Sequence, residues 1–112
     1  MKNKLHYSPE SLRDLDEIWD AIAEERQNPS AAERVIRRLL DAAERLESFS
    51  GMGTPLSSVT GMESDVRFLV SGSYLVFYHA AENDVYIDRI LYGRRDYLHL
   101  LFKDQMHEKI SE

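Results

Sequence analysis

The segment DVRFLVSGSYLVFYHAAENDVYIDRILY, residues 65–92, decides the fold. Three runs within it, DVRFLV, YLVFYH and VYIDRILY, are rich in the β-branched and aromatic residues that suit a pleated, half-buried surface. SGS and AEND separate them and carry turn chemistry. The pattern predicts an antiparallel meander with strands near 64–70, 74–80 and 85–92. Leu75, Val76 and Phe77 are consecutive and apolar, so both faces of their strand need cover, and that strand is expected at the centre of the sheet.

Upstream the period changes from two to three and four. SPES reads as a helix start, with Ser8 as N-cap, Pro9 at the first helical position and Glu10 at the positive helix end. Leu12, Leu15, Ile18, Trp19 and Ile22 follow at helical spacing, which predicts a helix near 9–26. QNPS breaks it. Asn28 then caps a second helix near 29–48, with Ala32, Val35, Ile36, Leu39, Ala43 and Leu46 as its apolar stripe and Gly51 and Gly53 after its end. KNKLHY alternates and predicts a first strand near 2–7, with Leu5 and Tyr7 on one face. A short helical stretch over Tyr97–Phe102 and a polar tail follow. Trp19, Ile22, Val35, Leu39, Val76 and Ile90 are expected to be largely buried.

The chain has 112 residues, the size of one domain, with 43% hydrophobic and 30% charged residues, the composition of an ordinary soluble globular protein. Residues 1–103 are read as that domain and 104–112 as tail. No apolar run approaches the ~20 residues of a membrane helix, and MKNKLHYSPE carries no signal-peptide core, so no membrane partner is expected. Cysteine is absent, which excludes disulfides and thiolate chemistry and is compatible with a cytoplasmic location. The formal net charge of −6 is uneven: residues 8–49 hold eleven acidic against six basic side chains, and residues 60–103 six against five. Nucleic-acid binding could therefore rest only on a local patch.

His6, His79, His99 and His107 match no metal motif and read as solvated; no metal or cofactor is implied. SGS is explained as a turn rather than a nucleophile site. Asp14, Asp16, Glu17 and Asp20 read as a solvated helix face, and Arg37 and Arg38 as surface partners of nearby acids. The arginines Arg67, Arg89, Arg94 and Arg95 stand out. Arg89 lies inside a strand, where a cation needs a carboxylate, with Asp88, Asp96 and Asp65 as candidates. Arg94 and Arg95 leave the last strand together, an arrangement suited to bidentate contact with carboxylate or phosphate.

The order of elements and the stretches SPESLRDLDEIWDAIA, NPSAAERVI, VRFLVSGSYLVFYH and DRILYGRRDY resemble the RelE/ParE superfamily of type II toxin–antitoxin toxins, from about Leu5 to Phe102. The resemblance implies an α+β fold, in which an N-terminal strand and an antiparallel helical hairpin pack on a four-stranded, mainly antiparallel sheet. It also implies a toxin of a plasmid-stabilisation module, neutralised by a cognate antitoxin. The acidic helices suggest basic residues beside apolar anchors in that antitoxin's contacting segment. The superfamily holds two chemistries: RelE-like toxins cut messenger RNA on the ribosome, and ParE-like toxins poison DNA gyrase without being nucleases. Arg95 corresponds to the RelE arginine after the last strand, but only Arg67 stands where RelE has lysines. Leu75 takes the place of a strand arginine, and Leu101 that of the C-terminal tyrosine, with Tyr97 and His99 nearby. The wording is closer to ParE, which makes Arg67, Arg89, Arg94, Arg95, Asp96 and Tyr97 the target-binding candidates. A ribosome-dependent endoribonuclease with Arg67, Arg95 and Tyr97 as catalytic residues is the alternative, and an inactive antitoxin-binding module the third reading.

Overall fold

The computed structural model describes residues 2–93. The chain forms β1 (Lys4–Tyr7), α1 (Pro9–Asp20), a π-helical turn (Ala21–Glu25) and α2 (Pro29–Glu44) with a 3₁₀ turn (Arg45–Glu47). There follow β2 (Thr54–Pro55), α3 (Ser57–Thr60), β3 (Arg67–Ser71), β4 (Tyr74–Ala81) and β5 (Asp84–Tyr92). The five strands form one sheet in the order β1-β5-β4-β3-β2. β1 pairs with β5 in parallel, and all other neighbours are antiparallel. The fold is α+β, and the meander lies where the sequence puts it, with β4 at the centre. The sheet has five strands rather than four, because Thr54–Pro55 pairs with Phe68 and Arg67. Two residues, one of them a proline, directly after Gly53 leave no periodic signal.

Local hydrogen bonds set the element boundaries. The Ser8 side chain accepts from the Ser11 N–H, and that of Asn28 from the Ala31 N–H, each with proline at the helix start. β1 begins later than predicted because Asn3 is drawn to the 3₁₀ turn: its N–H donates to the Glu47 carbonyl and its amide to that of Leu46. β3 also begins late, since the Ser64 hydroxyl accepts the Val66 N–H that would have extended it. After Asp20 the first helix loosens: the Arg26 N–H reaches the Ala21 carbonyl, and Gln27 takes the left-handed conformation (φ 54°) before Asn28-Pro29. The β4–β5 hairpin turns tightly through Glu82 (φ 56°) and Asn83.

Both helices cover one face of the sheet. Ile18, Ile22, Leu39, Leu46, Val76, Tyr78, Val85, Ile87 and Ile90 form the main core. On the opposite face Phe68, Leu75 and Phe77 pack under Leu56, Val59 and Val66 of the segment between β2 and β3. Four successive β4 residues, Leu75 to Tyr78, are thus buried. Of the expected core, Ile22, Leu39, Val76 and Ile90 are buried and Val35 is half-buried. Trp19 is a correction: it stays 38% exposed. α1 buries Ser11, Asp14 and Ile18, a stripe about one residue, or ~100°, away from the apolar one. Hydropathy cannot see that stripe because two of its members are polar.

Tyr78, fully buried, pegs the loop after α2. Its hydroxyl donates to the Ser50 carbonyl at 2.7 Å and accepts the Gly53 N–H at 2.9 Å. Gly53 lies so close that an added Cβ would sit 2.6 Å from the Tyr78 hydroxyl and 2.9 Å from the Phe68 carbonyl. Tyr78→Phe, which leaves both loop groups unpaired, should cost about 1–3 kcal/mol. Gly53→Ala should cost at least as much, because backbone blocks the way. Urea midpoints checked for unchanged m-values test both, and wild-type midpoints in both variants would refute the peg.

Candidate functional site

The site is built where α1 meets the free edge of β5. β1 ends at Tyr7 opposite Ile87, so beyond that point the outer edge of β5 has no strand partner. The chain entering α1 takes over that edge. The Ser8 N–H donates to the Ile87 carbonyl, and the Ser8 hydroxyl to that of Asp88. One turn later, the Asp14 carboxylate receives the Ile90 N–H at 2.8 Å and the Arg89 guanidinium at 2.8 and 3.0 Å. Asp14 is 6% exposed, which corrects its reading as part of a solvated face. The partner of Arg89 is therefore Asp14, 75 residues away, and not an acid close in sequence. Burial, the largest influence, pushes the Asp14 carboxyl up. The hydrogen bonds from Arg89 and Ile90, with the charges of Arg89 and Arg13, outweigh it and hold the group below the usual carboxylate range.

A groove of about 690 Å³ opens beside this pair, between the two helices, the β3–β4 turn and the end of β5. Ile18, Ile22, Val35 and Ile90 supply apolar lining. Arg26 and Arg38 line it from the helices, and Tyr74 and Tyr92, edge to face at 5.5 Å, from the sheet. Burial pushes the Tyr74 hydroxyl above the usual tyrosine range, with the Arg26 guanidinium opposing and Tyr92 adding to it. The Gly93 N–H donates to the Ser73 carbonyl at 2.7 Å, which holds the end of β5 against the β3–β4 turn.

The arginines singled out in the sequence separate. Arg67 turns into the loop after α2 and donates to the Gly51 and Gly53 carbonyls at 3.3 and 2.8 Å. Arg89 lines the groove. Arg94, Arg95, Asp96 and Tyr97 lie outside the described residues, as do the helical stretch over Tyr97–Phe102, His99 and His107. Arg37 pairs with Glu33 at 3.0 Å as expected. Arg38, against expectation, has no ion pair among the described residues and lines the groove instead. His6 is exposed, in keeping with the solvated reading, and His79 is half-buried. Each stacks on a face of Tyr86, at 4.9 and 5.0 Å, and each meets a carboxylate, Asp84 and Asp88, at 2.8 and 2.7 Å. The sequence gives Arg26, Tyr74 and Tyr92 no functional signal and puts Asp14 on the wrong face of its helix. A strand arginine lacking a carboxylate was the one signal that could have led to Asp14.

Because the Asp14 carboxyl is held low, the stability it adds is complete above the unfolded carboxylate pKa of about 3.9 and is lost as pH falls through its lower folded value. Wild-type stability should therefore decline in acid below about pH 4, and Asp14→Asn should flatten that decline. Asp14→Ala leaves Arg89 and the Ile90 N–H unpaired and should cost about 2 kcal/mol at neutral pH. Chemical denaturation between about pH 2 and 7 checks both, and an Asp14→Asn profile parallel to wild type would refute the assignment.

Comparison with known proteins follows the same outline. The family model of the ParE toxin of the type II toxin–antitoxin system parDE matches residues 5–97. No curated protein matches the sequence. Among solved structures, a chain of the chromosomal ParDE toxin–antitoxin system from P. aeruginosa superposes with a TM-score of 0.69 at 18% identity, over 83% of this chain and 98% of that chain. YafQ from E. coli strain BL21(DE3) gives a TM-score of 0.43 at 16% identity, over 87% of this chain and 98% of that one. No described helix is long and apolar enough to cross a membrane. With its helical hairpin and its meander covered by one family model over residues 5–97, the chain belongs to the ParE toxins of type II toxin–antitoxin systems.

Proposed function

We propose that this toxin acts on DNA gyrase through protein contacts, and that its cognate antitoxin silences it by covering the groove between the helical hairpin and the sheet. The ParE family match over residues 5–97 carries the reading. Site chemistry supports it. RNA cleavage requires a base for the 2′-hydroxyl, a cation for the phosphorane and an acid for the leaving oxygen. Of the three residues a ribonuclease would use here, Arg67 is engaged by the Gly51 and Gly53 carbonyls. Leu75, where a RelE-like toxin carries an arginine, is 3% exposed and packs with Phe68 and Phe77.

In this reading Arg94 and Arg95, with Asp96 and Tyr97, form the recognition patch directly after the last strand, and Arg89 supports it from the strand. The module would stabilise a plasmid that carries it, and would act in the cytoplasm. Co-expression with the neighbouring reading frame should yield a stable complex without toxicity.

Replacement of Arg94 and Arg95 by alanine should lower toxicity. Each lost charge-assisted contact is worth about 1.5–3 kcal/mol, roughly tenfold or more in target binding. The circular dichroism spectrum should stay that of the wild type. Purified toxin should inhibit gyrase supercoiling and leave ribosome-bound messenger RNA intact. Codon-positioned RNA cuts with untouched gyrase would assign the ribonuclease instead, with Arg95 on the phosphorane, Tyr97 in proton transfer and Arg67 beside them. Activity in neither assay would leave an inactive antitoxin-binding module.

A further inference from the structure

The groove inverts the charge of the protein around it. Among the described residues three arginines, Arg26, Arg38 and Arg89, line it against two carboxylates, Asp14 and Glu17. That is a surplus of one positive charge in a chain of formal net charge −6. Arg89 and Asp14 neutralise each other in a two-pronged pair. Arg26 and Arg38 are different: among the described residues neither has a carboxylate partner, and both are exposed. On α2, by contrast, Arg37 is paired with Glu33 one turn away. Ile18, Ile22, Val35 and Ile90 line the same groove as the Arg26 and Arg38 guanidinium groups, as do Tyr74 and Tyr92.

We propose that Arg26 and Arg38 are the specificity residues of the antitoxin site. The antitoxin segment in this groove carries apolar side chains for its floor and aspartate or glutamate side chains that pair with these two arginines. The inference rests on the antitoxin reading above and fixes the chemistry of the segment, reversing the basic character that the acidic helices alone suggest. An apolar floor with two free guanidinium groups suits a segment that is itself amphipathic. Arginine is the side chain best shaped for two-point recognition of carboxylates. A nucleic acid fits less well, because a surplus of one charge neutralises about one phosphate, whereas binding through the backbone takes several.

The same charge pattern offers a device for partner choice. Glu10 and Glu17 lie near Arg89, as their charges raise its pKa together with the hydrogen bond to Asp14. A basic segment meets two free arginines when it enters, and an acidic one meets them as partners. Opposed charges at a groove separate related partners more sharply than apolar area does.

The test uses the full-length toxin with the co-expressed product of the neighbouring reading frame. The double variant Arg26→Glu/Arg38→Glu should bind that antitoxin at least about tenfold more weakly than wild type. Wild-type binding should weaken as NaCl rises, and the double variant should lose most of that dependence. Arg34→Glu, an exposed α2 change of the same charge outside the groove, should bind as wild type does. Both variants should keep the wild-type circular dichroism spectrum. Lysine in place of the antitoxin's carboxylates, one at a time, should restore binding to the double variant.

Wild-type affinity in the double variant, with the antitoxin still binding, would overturn the inference and leave the antitoxin reading intact. Equal weakening by Arg34→Glu would overturn it too, since general charge would then be the cause. No binding of the antitoxin by the wild type would remove both. A labelled DNA duplex bound by wild type and released by the double variant would reassign the two arginines to phosphate.

Discussion

The carboxylate of Asp14 is the contact on which the arrangement depends. A four-residue parallel strand leaves the outer edge of β5 open after Ile87, and an unpaired strand edge is both a cost and a hazard. Ser8 and Asp14 close it from the entry of α1, taking up the Ile87 and Asp88 carbonyls and the Ile90 N–H. The same carboxylate receives Arg89, so one buried anion satisfies a backbone donor and a strand cation together. Such a pair adds little net stability over an apolar one, but removing a single member is costly. Its structural effect is to fix the angle at which α1 leaves the sheet, and with it one wall of the groove.

The central strand ties the two sides of the sheet together. Val76 and Tyr78 face the helices, and Leu75 and Phe77 face the short cover between β2 and β3. A domain of this size buries a limited core, so polar pegs add definition. The Tyr78 hydroxyl holds Ser50 and Gly53, and Arg67 laces Gly51 and Gly53 from the neighbouring strand. At the other end of the sheet, Tyr86 stands between His6 and His79, so three adjacent strands share one row of stacked rings with a carboxylate at each imidazole.

Charge is organised at two scales. The helices carry most of the acidic excess of the chain, eleven acidic against six basic side chains over residues 8–49. Against that excess the groove gathers Arg26, Arg38 and Arg89. A long-range field and a local patch can thus have opposite signs, and a partner responds to the second once it is in contact.

The sequence by itself determined the first strand, the two long helices and the meander, and their order. Hairpin turns, proline-led helix starts and two hydrophobic periods are local signals, and the structure places helices and strands within a few residues of them. The LYGRRDY wording and the family outline were legible in the same way, and so was the central position of β4. Tertiary structure alone decided which face of α1 is buried, because Ser11 and Asp14 owe their burial to hydrogen bonds with distant parts of the chain or with the cap. It decided that Arg89 pairs across 75 residues rather than with a neighbour in sequence. It also decided that Arg26 and Arg38, one before the break between the helices and one deep in α2, line a single groove. The physical reason is common to the first two. Periodicity records the average affinity of a face for water, whereas the partner of a buried polar group is set by parallel pairing of β1 with β5, a contact between the two ends of the described chain.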